Sequence, residues 1–275
     1  MLRSLSPLLF VAGMAAAIDA RADGVIEINQ DCAAVGCFAG DGPGFPVTIS
    51  ALGQYRLSGD MSVDSDVTVI SAETNGDIHV DLGGFTIRGP VTCDGTPATC
   101  SANATSSCLV SFRVRGGTLR NGTLRGGNGR GVCGGYGWGF LLADLLVTEN
   151  AADGISSGLG GPTWPNELVI ENVRSVRNGG DGASLAWGGD RHHRIADSFF
   201  VGNGGAGLRT AGDLSVFDNQ FFGNGSHGIA AHYGSAQLAA GRNTFMGNNG
   251  GNANAQFSGT LRDMGGNACA KATCP

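Results

Sequence analysis

The feature that most constrains this chain is a repeat in its second half. Residues 147–155 read VTENAADGI and 176–183 read VRNGGDGA. Residues 201–208 read VGNGGAGL, 222–229 read FGNGSHGI, and 246–252 are a decayed fifth copy. The repeated asparagines are Asn150, Asn178, Asn203, Asn224 and Asn248, with spacings of 28, 25, 21 and 24 residues. Short apolar patches, Asn-Gly turns and no helical period at this repeat length point to one coil of a β-solenoid per unit. Coils stack at the strand spacing of about 4.8 Å, so equivalent residues form columns. Phe200, Phe221 and Phe245 are expected to stack inside the tube, and the asparagines at a turn. New strands are expected after the turn glycine, at Ile155, Leu208 and Ile229. A leucine ladder, a blade-length unit and a sandwich pattern without a repeated turn are all missing, which sets aside leucine-rich repeats, propellers and immunoglobulin-like folds.

The first half is less regular but reads as the same tube. Strands are expected at Val25 to Ile28, Val67 to Ile70, Ile78 to Leu82, Phe85 to Ile87 and Leu109 to Val114. The expectation is an all-β, single-domain, right-handed parallel β-helix over 47–252. Residues 23–46 and 253–275 are expected to cap its two ends, since solenoids need closed ends for solubility.

The N-terminus has the form of an export signal. Arg3 precedes an apolar run from Leu5 to Ala17, and Ala20-Arg21-Ala22 fits a cleavage site after Ala22, so 1–22 is read as a signal peptide. The apolar run falls short of the roughly 20 residues of a membrane span. Cleavage leaves the chain one unit more negative than the full chain's −6, and Lys271 is its single lysine. That acidity argues against nucleic acid, which needs a basic footprint. All eight cysteines follow the expected cut, and an even count in an exported chain reads as disulfides. Cys32 with Cys37 and Cys269 with Cys274 are close enough to pair locally; connectivity among Cys93, Cys100, Cys108 and Cys133 stays open. The location implied is secreted or periplasmic, with no membrane span after cleavage and a monomeric state.

Two segments carry a family resemblance. Asp81 to Gly89 (DLGGFTIRG) with Arg120 to Gly126 (RNGTLRG) resembles the bacterial right-handed parallel β-helix repeat proteins of the pectate-lyase-like superfamily, as do the turns at 150–154 and 178–182. The resemblance spans about 47–250 and implies the fold. It does not imply one activity, because this fold hosts lyases, hydrolases, epimerases and adhesins. The epimerase signature is absent, and Ser226-His227-Gly228 is only a partial echo of a Gly-His-Gly motif.

Stacking gives a geometry for candidate catalytic residues. The position before the turn glycine is Asp153, Asp181, Ala206 and His227 in successive coils. Asp153 and Asp181 are expected one strand spacing apart, where mutual repulsion raises one pKa. Such a pair suits glycoside hydrolysis, or Ca2+ held for a lyase; ordinary Asp-Gly turn chemistry is the competing reading. Loops beside the column add Arg191, His192 and His193 as candidate base and charge neutraliser. Trp164, Trp187, Asp190, Arg209, His232 and Tyr233 are candidate substrate contacts. Metal binding by His192, His193, His227 and His232 lacks a recognised spacing. Arg88, Arg113, Arg115, Arg120, Arg125 and Arg130 form a basic cluster in an acidic chain, able to meet carboxylates of a glycan bidentately or simply to solvate a strand face. The resulting expectation is an exported protein in contact with an extracellular, acidic polysaccharide, as a lyase or hydrolase. The alternative is a non-catalytic, adhesin-like binding module.

Overall fold

The computed structural model describes residues 24–136, 139–157, 167–185, 192–231 and 237–270. The chain is all-β and winds into a parallel β-solenoid of about nine turns. Each full turn carries three short strands, one on each of three faces. The first face is a nine-stranded parallel sheet running from Val47–Ile49 through Cys108–Val114 and Ala183–Leu185 to Phe257–Ser258. The second and third faces belong to one larger sheet. On them, Leu168–Glu171 and Arg174–Val176 are followed one turn later by His192–Ala196 and Phe199–Val201.

The core follows from strand alternation: one side chain in two points inward, and inward positions fall into columns. On the second face Leu119, Leu142, Ile170, Ile195 and Val216 lie in register, all buried. On the third, Phe200, Phe221 and Phe245 stack as expected, with centroids 5.2 and 5.0 Å apart and rings within 9° of parallel. Each such ring removes enough apolar surface from water to contribute about 1.5–3 kcal/mol.

Two corners flank the third face, and each needs a residue with positive φ. Between the second and third faces stand Asn121, Asp144, Asn172, Asp197, Asp218 and Arg242. After the third face stand Glu149, Arg177, Gly202, Gly223 and Gly247. Asparagine and aspartate tolerate this conformation better than most side chains, which explains their recurrence at the first corner.

The repeated asparagines follow the second corner and form a continuous buried ladder. Asn150, Asn178, Asn203 and Asn224 each donate backbone N–H and side-chain amide to the next Oδ1; Asn248 does the same to Gln256. From Asn178 onward, the second amide hydrogen goes to a backbone carbonyl of an earlier turn, as from Asn203 to Ser175 at 3.0 Å. A second ladder, at the first corner, links Ser198, Asn219, Asn243 and Asn267 in the same way.

Several expected strands shift by a residue or more. The stretch expected at Val67 to Ile70 becomes a strand only from Ile70 to Glu73, although the Val69 amide still donates to the Leu109 carbonyl. Cys32–Cys37 is bonded as expected, and the open connectivity resolves to Cys93–Cys100 and Cys108–Cys133. Cys269 is disulfide-bonded; Cys274 lies outside the described residues.

Cys93–Cys100 closes a small antiparallel hairpin that leaves the solenoid and lies across its asparagine turns. Its Ala98 amide donates to the Gly202 carbonyl, and Cys93, Ala98 and Val91 pack on Ala151 in a second small apolar cluster. The hairpin rests close above the turn glycines: a Cβ on Gly179 would sit 2.8 Å from Cys100 Sγ.

Candidate functional site

The turn that enters the first face carries the predicted acid column. Backbone N–H groups of Gly131, Gly154, Gly182 and Gly207 donate to the carbonyls of Asp153, Asp181, Ala206 and His227, which fixes Arg130, Asp153, Asp181, Ala206 and His227 as successive rungs. Asp153 Oδ1 accepts the Asp181 backbone N–H at 2.9 Å, and Asp181 Oδ1 accepts that of Ala206 at 2.6 Å. Each carboxylate therefore caps the turn below it.

Space for those carboxylates comes from the second glycine of the NGG turn. A Cβ on Gly180 would lie 2.4 Å from Asp153 Oδ1, and one on Gly205 2.3 Å from Asp181 Oδ1. The next turn has Ser226 at this place, beneath Ala206, where no carboxylate intervenes.

Each carboxylate of the column has an arginine beside it. Arg209 grips Asp181 through Nε and Nη2, and Arg130 lies 3.7 Å from Asp153. Asp181 is 6% exposed, and both its oxygens are engaged, Oδ1 by the Ala206 N–H and Arg209 Nη2 and Oδ2 by Arg209 Nε. Among the described residues no three His, Cys, Asp or Glu side chains gather as a metal site. Burial pushes the Asp153 carboxyl above the usual range, and the Asp181 charge adds to this against the Asp181 N–H and the two arginines. Burial, with the Arg209 charge, lowers the His227 imidazole below its ordinary value.

The remaining predicted residues divide. Arg209 and His227 belong to the column region. His193 does not project from a loop: it is fully buried in the strand His192–Ala196, and its Nδ1 accepts the Leu168 N–H at 3.3 Å. The backbone of His192 begins that strand, in register with Asp213. Trp164, Trp187, Asp190, Arg191, His232 and Tyr233 lie outside the described residues.

A different surface gathers positive charge. The predicted basic cluster splits among the faces: Arg113 pairs with Glu73, Arg120 with Asp81, and Arg130 with Asp153. Arg88 and Arg125, however, are register partners on the third face. They line an open groove of about 670 Å3 with Arg174, Arg177, Asp60 and Glu149. Ser62, Thr86, Thr123 and Thr148 add hydroxyls to its wall.

Glu149 organises this groove. Its side chain is only 4% exposed, and Oε2 receives Arg125 Nε and Nη2 at 2.9 and 2.8 Å. Oε1 receives Arg177 Nη2. One buried acid thus orients two guanidiniums whose arginine side chains remain nearly half exposed, at 44% and 43%. Among the described residues neither Arg88 nor Arg174 has an ion-pair partner. Four arginines against two acids make the groove positive in a chain whose net charge is −6.

No family model matches this chain, and no curated protein or solved structure matches it either.

Function therefore rests on geometry. Sequence reasoning reached Arg88 and Arg125 through the local run of arginines, but it missed Arg174, Arg177 and Glu149. The signal was present: Arg177 and Glu149 hold equivalent positions just before Asn178 and Asn150. Stacking turns that equivalence into a contact.

Proposed function

We propose that this protein works outside the cytoplasm by binding an anionic polysaccharide along its third face. The observation that carries the reading is the arginine groove itself: four guanidiniums, two of them pinned by buried Glu149, set among hydroxyl side chains on a rigid sheet. Planar guanidinium forks match carboxylates bidentately, and threonine and serine hydroxyls exchange hydrogen bonds with sugar hydroxyls. The disulfides are compatible with an oxidising location, and no described helix is long and apolar enough to cross a membrane. The resemblance of Asp81 to Gly89 to pectate-lyase-like β-helices supports a glycan as the ligand class.

The test is direct binding. The mature protein is titrated by calorimetry with polygalacturonate, alginate and a neutral glucan. Binding to the acidic polymers, weakened by salt, with none to the glucan, is the expected result. Equal affinity for the neutral polymer, or none for either acidic one, contradicts the proposal.

A second reading, cleavage of the polysaccharide, is favoured by Asp153. Burial shifts its carboxyl upward from the usual range, the direction a general acid needs. New unsaturated or reducing ends released from the same polymers, and lost in Asp153→Asn, support it. Binding without turnover rejects it.

A further inference from the structure

We infer that the third face also holds a site for a single-chain anionic amphiphile, whose acyl chain lies along the C-terminal half of that face. The site does not depend on the polysaccharide reading. It follows from the outward side chains, which change character part-way along the solenoid. Ser175, Phe200, Phe221 and Phe245 point into the core, so the residues on either side of each point outward. One outward column runs Arg125, Thr148, Val176, Val201, Phe222 and Met246. Beside it run Leu146, Arg174, Phe199 and Gln220. Arginines mark the start of this stripe, and from Val176 onward it is mainly apolar, ending on Met246 at 48% exposure.

The other faces differ. At the same turns the first face shows Ser184, Arg209 and Ala230 outward, and the second shows Arg194, Ser215 and Ala239. The outward Phe217 of the second face lies beneath the Arg242 guanidinium, 5.6 Å from the ring centroid. A contiguous apolar stripe left outside on a rigid sheet marks a binding surface.

Backbone pairing and charge decide the occupant. Each strand of the stripe lies between two others in parallel register, so its N–H and C=O groups are used within the sheet. A peptide laid across these strands would give up water from its own N–H and C=O groups and find no backbone partner. An acyl chain has no such groups. At the N-terminal end of the stripe, Arg174 shares a turn with Val176 and has no ion-pair partner among the described residues. Arg125 stands two turns earlier. Glu149 does not neutralise this end, because its two oxygens already receive Arg125 and Arg177. An amphiphile with an anionic head meets both halves at once, and a fatty carboxylate is the simplest such molecule.

The register sets the chain length. Val176 to Met246 covers three strand spacings, about 14 Å. An extended chain gains about 1.25 Å per carbon from bonds of about 1.5 Å, so about twelve carbons fill the stripe. One side of it is raised by the Cys93–Cys100 hairpin. Thr96 of that hairpin sits over the corner glycines that follow Val201 and Phe222: a Cβ on Gly202 would lie 3.3 Å from Thr96 Cγ2, and one on Gly223 3.0 Å.

Calorimetry of the mature protein with fatty carboxylates of six to sixteen carbons, each below its critical micelle concentration, tests this. A CH2 covered on one side should tighten binding about twofold, up to about twelve carbons, after which affinity levels off. Phe222→Gln and Met246→Gln should each weaken laurate about fivefold, and Met246→Gln should leave Tm unchanged. Arg174→Gln should weaken every chain length alike, and Arg194→Gln on the second face should change nothing. Dodecyltrimethylammonium, of equal length and opposite charge, should bind about tenfold more weakly than laurate. No binding of laurate, equal affinity from six to twelve carbons, or equal affinity for the cation overturns the site. Flotation with phosphatidylglycerol vesicles without binding of laurate assigns the stripe to a membrane surface and overturns it too. Polygalacturonate is titrated alongside. If laurate fails and the polymer binds, only the acyl site falls; if the polymer fails and laurate binds, only the polysaccharide reading falls.

Discussion

The side-chain oxygen of Asn203 accepts both the backbone N–H and the amide N–H of Asn178, each at 3.0 Å. Asn203 then passes the same two bonds to Asn224 and returns its other amide hydrogen to the Ser175 carbonyl. Every donor and acceptor of its side chain is used, in a position with no exposure. Asn203→Ala strands two donors of Asn178, both buried. The expected loss is about 3 kcal/mol in urea unfolding, against less than about 0.5 for exposed Asn254→Ala. A loss below about 1 kcal/mol at Asn203 contradicts a ladder that holds the turns together.

The clearance between Gly205 and Asp181 makes a second prediction. A Cβ at 205 would stand 2.3 Å from Asp181 Oδ1 and 3.0 Å from its backbone nitrogen. Gly205→Ala should therefore destabilise by about 2 kcal/mol, and distinctly less when Asp181 is also alanine. A double-mutant cycle measures the difference. Strict additivity shows that the glycine is not there to make room for the carboxylate.

Asp153 gives the fold a pH signature. Its carboxyl is raised, by burial first, above the ordinary value of 3.8. Within the window between that value and the raised one, the folded protein binds the proton more than the unfolded chain does. Stability from this group is then present at lower pH and is lost as pH rises through the folded pKa. Asp153→Asn keeps an oxygen for the Asp181 N–H and removes the titration. The variant's Tm should fall less than that of the wild type as pH rises through this window. Parallel curves refute the assignment.

Glu149 ties stability to binding. Glu149→Gln replaces a nearly buried charge between Arg125 and Arg177 by a neutral amide. Because both arginines are almost half exposed, the loss should be about 2 kcal/mol, below the roughly 3–5 of a wholly buried pair. Affinity for polygalacturonate should drop as well, since Arg125 loses its anchor. Thermal unfolding and calorimetry on one preparation check both. An unchanged affinity means that the orientation of Arg125 does not matter to the ligand.

The tube was legible because its strongest local signal, Asn-Gly after a β-rich patch, is also its strongest structural element. The aromatic column at Phe200, Phe221 and Phe245 followed from the same register. The ladder at Ser198, Asn219, Asn243 and Asn267 was hidden because its first rung is a serine, so no common letter marks it. The hairpin closed by Cys93–Cys100 was hidden for another reason: it belongs to no coil, and only the folded path lays it over Ala151 and Gly202. The acid column was read in the right order, but its partners were not, since Arg130 and Arg209 reach it from neighbouring turns. His193 shows the limit of reading a polar run as a loop: a strand begins at His192, and its alternation turns an imidazole expected to project into a core one.

The most direct measurement is residue-resolved. Arginine Nε–H signals are assigned by NMR and followed as uronate tetramer is added. The groove account expects Arg88, Arg125, Arg174 and Arg177 to shift together and saturate at one ligand concentration, while Arg194 and Arg242 stay still. Shifts confined to Arg130 and Arg209, or no shift in the groove at saturating ligand, contradict it.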